Sequence, residues 1–286
     1  MTQSASPSSS GRKITVGVLA LQGAFSEHVQ LLRTASASLG VDQDGDHNVE
    51  WCFMEVRTAK ELDMCDALII PGGESTTMSL VAQRSGILGP LQEFVKGYCK
   101  PTWGTCAGLI LLSESANRTK KGGQDLIGGL DVRVDRNHFG RQVESFESNI
   151  DIYFPAVGPQ TLGTEGLNGT QGMEQKEHLQ FHAIFIRAPI VQEILSNQPG
   201  IQVKDVDNPS LVVASSLLPK TEAAQLAAKG EVEVLARLPR QAGEEQGRIV
   251  AVRQGNVLGT SFHPELTMDP RIHTWWLRYV RSKAYQ

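Results

Sequence analysis

Two short stretches of this sequence carry residue types that could do chemistry together: Gly104-Thr105-Cys106-Ala107-Gly108, and Ser261-Phe262-His263-Pro264-Glu265 near the C-terminus. The cysteine stretch follows Pro101-Thr102-Trp103 and precedes the apolar run Leu109-Ile110-Leu111-Leu112. That is the pattern of a buried strand, a sharp turn and a helix. A nucleophile on such a turn projects into a cleft, and the N–H groups just after it point at the oxyanion it creates. A helix N-terminus also favours the thiolate form of a cysteine. Pro264 disfavours helical backbone at His263, so His263 and Glu265 are expected two apart in extended chain, on the same side. A base and an orienting carboxylate placed that way complete a Cys-His-Glu triad. The remaining cysteines, Cys52, Cys65 and Cys99, read as small hydrophobes.

Other residues fall where they could serve such a triad. Pro71-Gly72-Gly73-Glu74-Ser75-Thr76 lies directly after an apolar run. Read simply, it is a strand-to-helix turn with Ser75 or Thr76 as cap. Read functionally, its glycines let backbone approach a ligand closely, with one N–H as a second oxyanion donor. No lysine follows in the manner of a phosphate-binding loop. Arg136-Asn137-His138-Phe139-Gly140-Arg141-Gln142 gathers two guanidinium groups around a glycine turn, and Arg187 ends the apolar segment Ala183–Ile186, as a carboxylate clamp would. Both also fit solvated surface turns. His138 and His182 are weaker candidates for base; His182 opens an apolar strand and reads as a packed or interfacial side chain.

The elements that must position these residues follow from periodicity. Strands are predicted at Ile14–Ala20, Val49–Val56, Ala67–Ile70 and Thr102–Gly104, and helices at Phe25–Leu39, Thr76–Arg84 and Leu88–Tyr98. Short apolar strands alternating with helices argue for a parallel sheet covered on both faces. Ligands of such sheets bind beyond the carboxyl ends of the strands. Gln22, the Gly72–Glu74 loop and Cys106 each follow a predicted strand, so they share one sheet edge. The second half reads as strands at Val132–Val134, Ser148–Phe154, Ala183–Arg187, Leu211–Ser215, Val232–Ala236, Ile249–Arg253 and Val257–Phe262, with Gln254-Gly255-Asn256 as a hairpin turn. The chain closes with a helix that begins near Asp269 and Pro270 and carries Ile272, Trp275, Trp276, Tyr279 and Val280 on one face. The expected organisation is a lead-in over 1–12 and one domain over 13–286, interrupted by polar insertions near 41–48, 157–180 and 217–229.

Composition excludes several functional classes. The chain has 286 residues, is 40% apolar and 20% charged, and carries 27 Lys+Arg against 31 Asp+Glu, for a net charge of -4. That is an ordinary globular composition without a nucleic-acid footprint. No apolar run approaches the roughly 18 residues that span a bilayer. The Ser-rich start lacks a basic segment and an apolar core, so it is not read as a secretory signal. The four cysteines show neither metal-ligand spacing nor disulfide density. A cytoplasmic setting, where a free thiolate persists, is expected.

Taken together, the elbow Gly104–Gly108, the loop Pro71–Thr76 and the ending Phe262-His263-Pro264-Glu265 resemble the class I, triad-type glutamine amidotransferases. Leu19-Ala20-Leu21-Gln22-Gly23, Arg136–Gln142 with Ser145-Phe146, and Phe185-Ile186-Arg187-Ala188-Pro189 are similar, within that class, to the glutaminase subunits of pyridoxal 5'-phosphate synthases. The resemblance runs in order from about Ile14 to the C-terminus. It implies a flavodoxin-like α/β fold with a mixed, mostly parallel sheet flanked by helices. It also implies Cys106 as nucleophile, His263 as general base and acid, and Glu265 as orienter. Glutamine binding is implied for Gly73, Glu74, Ser75, Arg136, Ile186 and Arg187, with Gly73 and Ala107 as oxyanion donors and Gln22 at the site edge. No metal or organic cofactor is implied. The implied partner is a (β/α)8-barrel synthase subunit in a hetero-oligomeric complex, which would use the ammonia. Two other readings compete: a cysteine hydrolase or peptidase on a similar sheet, which would have no use for Arg136 and Arg187, and a non-catalytic scaffold, for which an intact triad would be unneeded.

Overall fold

A computed structural model of the chain describes residues 12–39, 49–118, 124–136, 138, 145–157, 176–196, 208–228 and 230–284. The expected lead-in, the acidic loop at 41–48, most of the 157–180 insertion, and Asn137 with Phe139–Gln142 lie outside the described residues.

The site half of the molecule is built from β1 (Arg12–Leu19), α1 (Phe25–Leu39), β2 (Val49–Val56), β3 (Ala67–Ile70), α3 (Ser75–Arg84), α4 (Leu88–Gln92), β4 (Thr102–Thr105) and α5 (Ala107–Leu112), with a short α2 (Ala59–Asp63) between β2 and β3. The predicted helix over Leu88–Tyr98 is α4 finished by a π turn at Glu93–Gly97. In the second half β5 (Ser113–Asn117), β6 (Leu130–Asp135), β7 (Ser145–Pro155), β8 (Lys176–Ile186), β9 (Ile190–Ile194), β10 (Leu211–Val213), β11 (Glu233–Arg237), β12 (Ile249–Gln254) and β13 (Val257–Thr260) follow, and the C-terminal helix is Arg271–Ala284.

Among the described residues all thirteen strands join one mixed sheet, with β2-β1-β3-β4-β13 adjacent and mutually parallel. This is the 2-1-3-4-5 order of a flavodoxin-like sheet, with β13 in fifth place. Beyond β13 the pairing turns antiparallel through β12 and β9 to β6. Gln254 and Val257 face each other across the two-residue turn Gly255-Asn256, as the hairpin signal predicted. The strands at the centre are apolar on both faces because helices cover both. One layer buries Val29, Leu32 and Ala35 of α1 with Trp275, Trp276 and Val280 of the C-terminal helix; the other buries Met78, Leu91, Leu109 and Leu112 of α3, α4 and α5.

Several elements depart from the predicted ones. β8 extends into the region expected as a polar insertion, because it forms an eleven-pair antiparallel ladder with β7, from Ser145↔Ile186 to Pro155↔Lys176. Toward its C-terminal end, exposed Gln180 and His182 alternate with buried Phe181, Ala183 and Phe185. The segment expected as an insertion over 217–229 contains a helix, Glu222–Ala228, that buries only Ala224. β5 has no counterpart among the predicted strands: Ser113-Glu114-Ser115-Ala116 is polar in sequence yet buried, with Glu114 paired to Lys96 at 2.7 Å and accepting from Gly129 N at 2.8 Å. α2 is likewise absent from the predicted helices, although Thr58 and Glu61 form a reciprocal capping box that the sequence displays.

Candidate active site

Cys106 sits between β4 and α5 with φ 48° and ψ −101°, a conformation that costs a non-glycine residue about 1–3 kcal/mol and persists only where the surroundings impose it. Two constraints do so. The Cys106 N–H donates to Thr260 O at 2.7 Å, which ties the turn to β13. The flanking glycines let α5 lie directly on the strands: a Cβ at Gly108 would stand 2.0 Å from Ile70 O, and one at Gly104 would stand 2.4 Å from the Gly108 carbonyl carbon. Cys106 is 6% exposed, and its Sγ lies 3.9 Å from Ile186 O. The glycine–cysteine–glycine signal is therefore a packing requirement that leaves the thiol at the strand end. Cys65 and Cys99 are buried elsewhere, and burial pushes their thiols up, Cys65 to about 12. They are structural, as expected.

His263 is brought to Cys106 by β13, which ends beside β4, and its N–H donates to Ile184 O at 2.9 Å. The ring Nδ1 pairs with Glu265 Oε1 at 2.7 Å. The expected pair therefore forms, but not in extended chain. His263 has ψ 84°, as a residue before proline should, and Pro264–Leu266 then make one 3-10 turn that swings Glu265 back under the ring. Burial of the imidazole pulls its pKa down, yet the hydrogen bonds to Cys106 and Glu265 outweigh it and raise it to about 10. At neutral pH the ring is thus an imidazolium, held between a sulfur and a carboxylate.

The loop after β3 lies against this pair. A Cβ on Gly72 would meet His263 Cε1 at 2.3 Å and Cys106 Cβ at 3.4 Å, so only glycine lets the backbone pass there. Gln22, from the end of β1, accepts the Glu74 N–H at 2.9 Å and so fixes the loop from the next strand. The cap of α3 is Glu74, not Ser75 or Thr76: its carboxylate accepts from Thr76 N at 3.1 Å, Thr77 N at 2.7 Å and Thr77 Oγ1 at 2.6 Å. Burial raises this carboxyl, but those bonds prevail and hold it below the usual carboxylate range. Ser75 is buried, and with Thr76 it accepts from Arg136 Nη2, both at 2.9 Å. Arg136 Nε is buried without a hydrogen-bond partner among the described residues.

Gln22, Gly72–Thr76, Cys106, His263, Glu265, Arg136 and Ile186 thus converge at the carboxyl end of β1, β3 and β4. Arg187 follows β8 with φ 46° and an exposed side chain. His182 is not packed: it stands exposed on β8, bonded to Asn149 Oδ1 at 3.1 Å and Glu147 Oε2 at 2.9 Å. His138 pairs with Asp135 at 3.3 Å. Three site residues escape the sequence pattern: His28, Thr105 and His273, which lie behind Glu265 and are wholly buried. The available signal is a histidine on the apolar stripe of α1, which periodicity alone reads as core. Two open grooves, of about 520 Å³ and 550 Å³, run along β7 past Leu238 and Pro239 and carry none of the candidate site residues.

Residues 18–221 and 224–282 match the SNO glutamine amidotransferase family. The chain is 40% identical over 269 residues to the probable pyridoxal 5'-phosphate synthase subunit PDX2 of Arabidopsis thaliana, covering 94% of this chain and 87% of that one. It is 38% identical over 271 residues to the pyridoxal 5'-phosphate synthase subunit PdxT of a Nocardioides species, covering 94% and 97%. Among solved structures it is similar to a glutamine amidotransferase at TM-score 0.57 and 34% identity, covering 93% of this chain and 98% of that chain.

Proposed function

The chain belongs to the SNO glutamine amidotransferase family, and from that premise we propose that Cys106, His263 and Glu265 are the triad with which it hydrolyses glutamine to glutamate and ammonia for pyridoxal 5'-phosphate synthesis. The observation that carries this reading is the thiol on a positive-φ turn beside an imidazole bonded to Glu265 at 2.7 Å.

The Cys106 sulfur attacks the side-chain amide carbon of glutamine, and the carbonyl oxygen gains the negative charge. Backbone N–H groups of Gly73 and Ala107 receive it: Ala107 is the first residue of α5, where N–H groups have no partner within the helix. His263 gives its proton to the leaving nitrogen, the C–N bond breaks, and ammonia departs from a γ-glutamyl thioester. His263 then takes a proton from water, which attacks the thioester carbon, and glutamate leaves as the sulfur is released. None of these steps calls for a metal or organic cofactor.

Gly73, Glu74, Ser75, Arg136, Ile186 and Arg187 hold the glutamine. The Glu74 carboxylate is committed to its cap, so that residue's contribution is its backbone. The unpartnered Arg136 Nε is a buried donor awaiting an acceptor, which suits the α-carboxylate of the substrate. Arg136→Gln is expected to raise KM for glutamine about 10- to 100-fold with a smaller change in kcat. A KM within twofold of wild type, roughly the scatter of the measurement, removes Arg136 from the substrate site.

The raised imidazole pKa has a signed consequence. His263 keeps its proton well above neutrality, so kcat/KM for glutamine is expected to hold into the alkaline range and to fall only as pH approaches about 10. A limb at the ordinary histidine value instead would mean that the bonds to Cys106 and Glu265 do not hold the proton on His263.

The ammonia passes to a (β/α)8-barrel synthase subunit in a hetero-oligomer, in the cytoplasm. The test is glutamate release by the purified chain, alone and with its cognate synthase subunit. Release that rises with the partner supports the assignment; no release in either case, with the chain folded, rejects it.

A further inference from the structure

A chain of buried groups continues from the triad into the protein. Glu265 is 4% exposed, and its Oε1 is taken by His263, whereas Oε2 has no hydrogen-bond partner by strict geometry among the described residues. A buried carboxylate oxygen left without a donor is destabilising. The donor that faces it is Nε2 of His28, 3.4 Å from Glu265 Oε2 and 3.3 Å from Thr105 Oγ1. The other ring nitrogen of His28 meets Nε2 of His273, on the C-terminal helix, at 2.9 Å. Both rings are fully buried, packed edge-on against Trp103 at 5.7 Å and 4.9 Å.

One proton inventory satisfies Glu265 Oε2, with the Thr105 hydroxyl as a second acceptor for the same N–H. An ionised carboxylate only accepts, so His28 Nε2 must carry the hydrogen. A neutral His28 is therefore an acceptor at Nδ1, and His273 must supply the hydrogen from its Nε2. That leaves His273 Nδ1 a lone pair, and it is the ring nitrogen without a partner. An unpaired acceptor is the less costly end for such a chain. Burial also lowers both imidazoles, His273 to about 3, so neither charges at neutral pH. The titratable groups that bear on His28 are His263 and Glu265 from the 3-10 turn and His273 from the C-terminal helix; Asp269 acts in turn on His273.

We propose that His28 is a positioning residue for hydrolysis, holding the second oxygen of Glu265 through its Nε2–H while His273 sets its tautomer. The inference rests on the triad reading above. Fixing both oxygens of Glu265 stops the carboxylate from rotating, and this keeps the His263 ring aimed at Cys106. The 3.4 Å separation closes as the imidazolium is used, since catalytic hydrogen bonds tighten in the reacting complex.

The test compares His28→Leu, His28→Gln, His273→Leu and Cys106→Ala, with kcat and KM for glutamine measured against pH and active sites titrated by thiol alkylation. His28→Leu is expected to lower kcat per active site about 10- to 100-fold with KM little changed, and to move the alkaline limb to lower pH. His28→Gln returns an N–H donor near the same place and is expected to recover most of both. His273→Leu is expected to shift kcat and the limb in the same sense by a smaller amount, and it carries the test alone if His28→Leu does not fold. Wild-type kcat and an unmoved limb in His28→Leu, or in His273→Leu where only that variant folds, overturns the proposal. So does a failure of His28→Gln to recover more than His28→Leu. Full activity in Cys106→Ala would instead overturn the triad reading itself.

Discussion

Cys106→Ala releases no measurable glutamate from glutamine, a loss of at least about 10⁴-fold in kcat, and it does so without unfolding the chain. The loss is large because the sulfur forms the covalent bond on which both half-reactions depend; removing a nucleophile that acts as a unit with its base forfeits nearly all the chemistry. The fold survives because the turn is held by other atoms. Its backbone N–H is bonded to Thr260 O, the glycines on either side are unchanged, and the Sγ contacts, to the His263 ring and at 3.9 Å to Ile186 O, do not hold the backbone of the turn. Alanine also keeps Cβ, so the strained φ of 48° is no worse than before. Glutamate formation and the thermal transition should be measured on the same preparation. Turnover within about tenfold of wild type, at an unchanged transition, means that another group is the nucleophile.

Gly108→Ala is expected to remove about 3 kcal/mol of stability or more, the upper range for forcing extra volume into a packed core. Its Cβ would stand 2.0 Å from Ile70 O and 3.0 Å from Ile70 C, both backbone atoms of a central strand that cannot turn aside. Either α5 lifts from the sheet or β3 shifts, and each moves Cys106 away from His263. Activity should therefore fall together with stability. Gly97→Ala is the control, since a Cβ there meets nothing closer than the flexible Lys220 side chain at 3.6 Å, and it should be neutral or slightly stabilising. Urea midpoints at constant slope measure both. Equal midpoints for the two variants would mean that the close approach of α5 to β3 has slack.

Most of the site is legible in the amino-acid sequence, because its decisive signals are local. Pro71 and Pro264 restrict their own and the preceding backbone, glycine marks where chain passes close to chain, and short apolar runs mark strands buried on both faces. Those signals place Gln22, Gly72–Ser75 and Cys106 after strands, and a parallel sheet then sets them along one edge. Local signals mislead where packing overrides them. β5 is polar in sequence and buried in fact because Lys96 neutralises Glu114. The first half of β8 is mostly polar, Lys176 to Gln180, and only its pairing with β7 explains it as strand. Glu265 meets His263 through a 3-10 turn, a choice that two residues and a proline leave open.

The amino-acid sequence by itself therefore determined the reactive groups, the turn that strains the nucleophile and the class of chemistry they can do, since each depends on residues adjacent in the chain. Tertiary structure alone decided how the carboxylate of Glu265 is held. His28 and His273 are 245 residues apart, and they meet because α1 and the C-terminal helix pack on the same face of the sheet. Their protonation is set by burial against Trp103 and by the pairing of one ring nitrogen with another. Desolvation and long-range contact are properties of the folded surroundings, and no local pattern of residues encodes them.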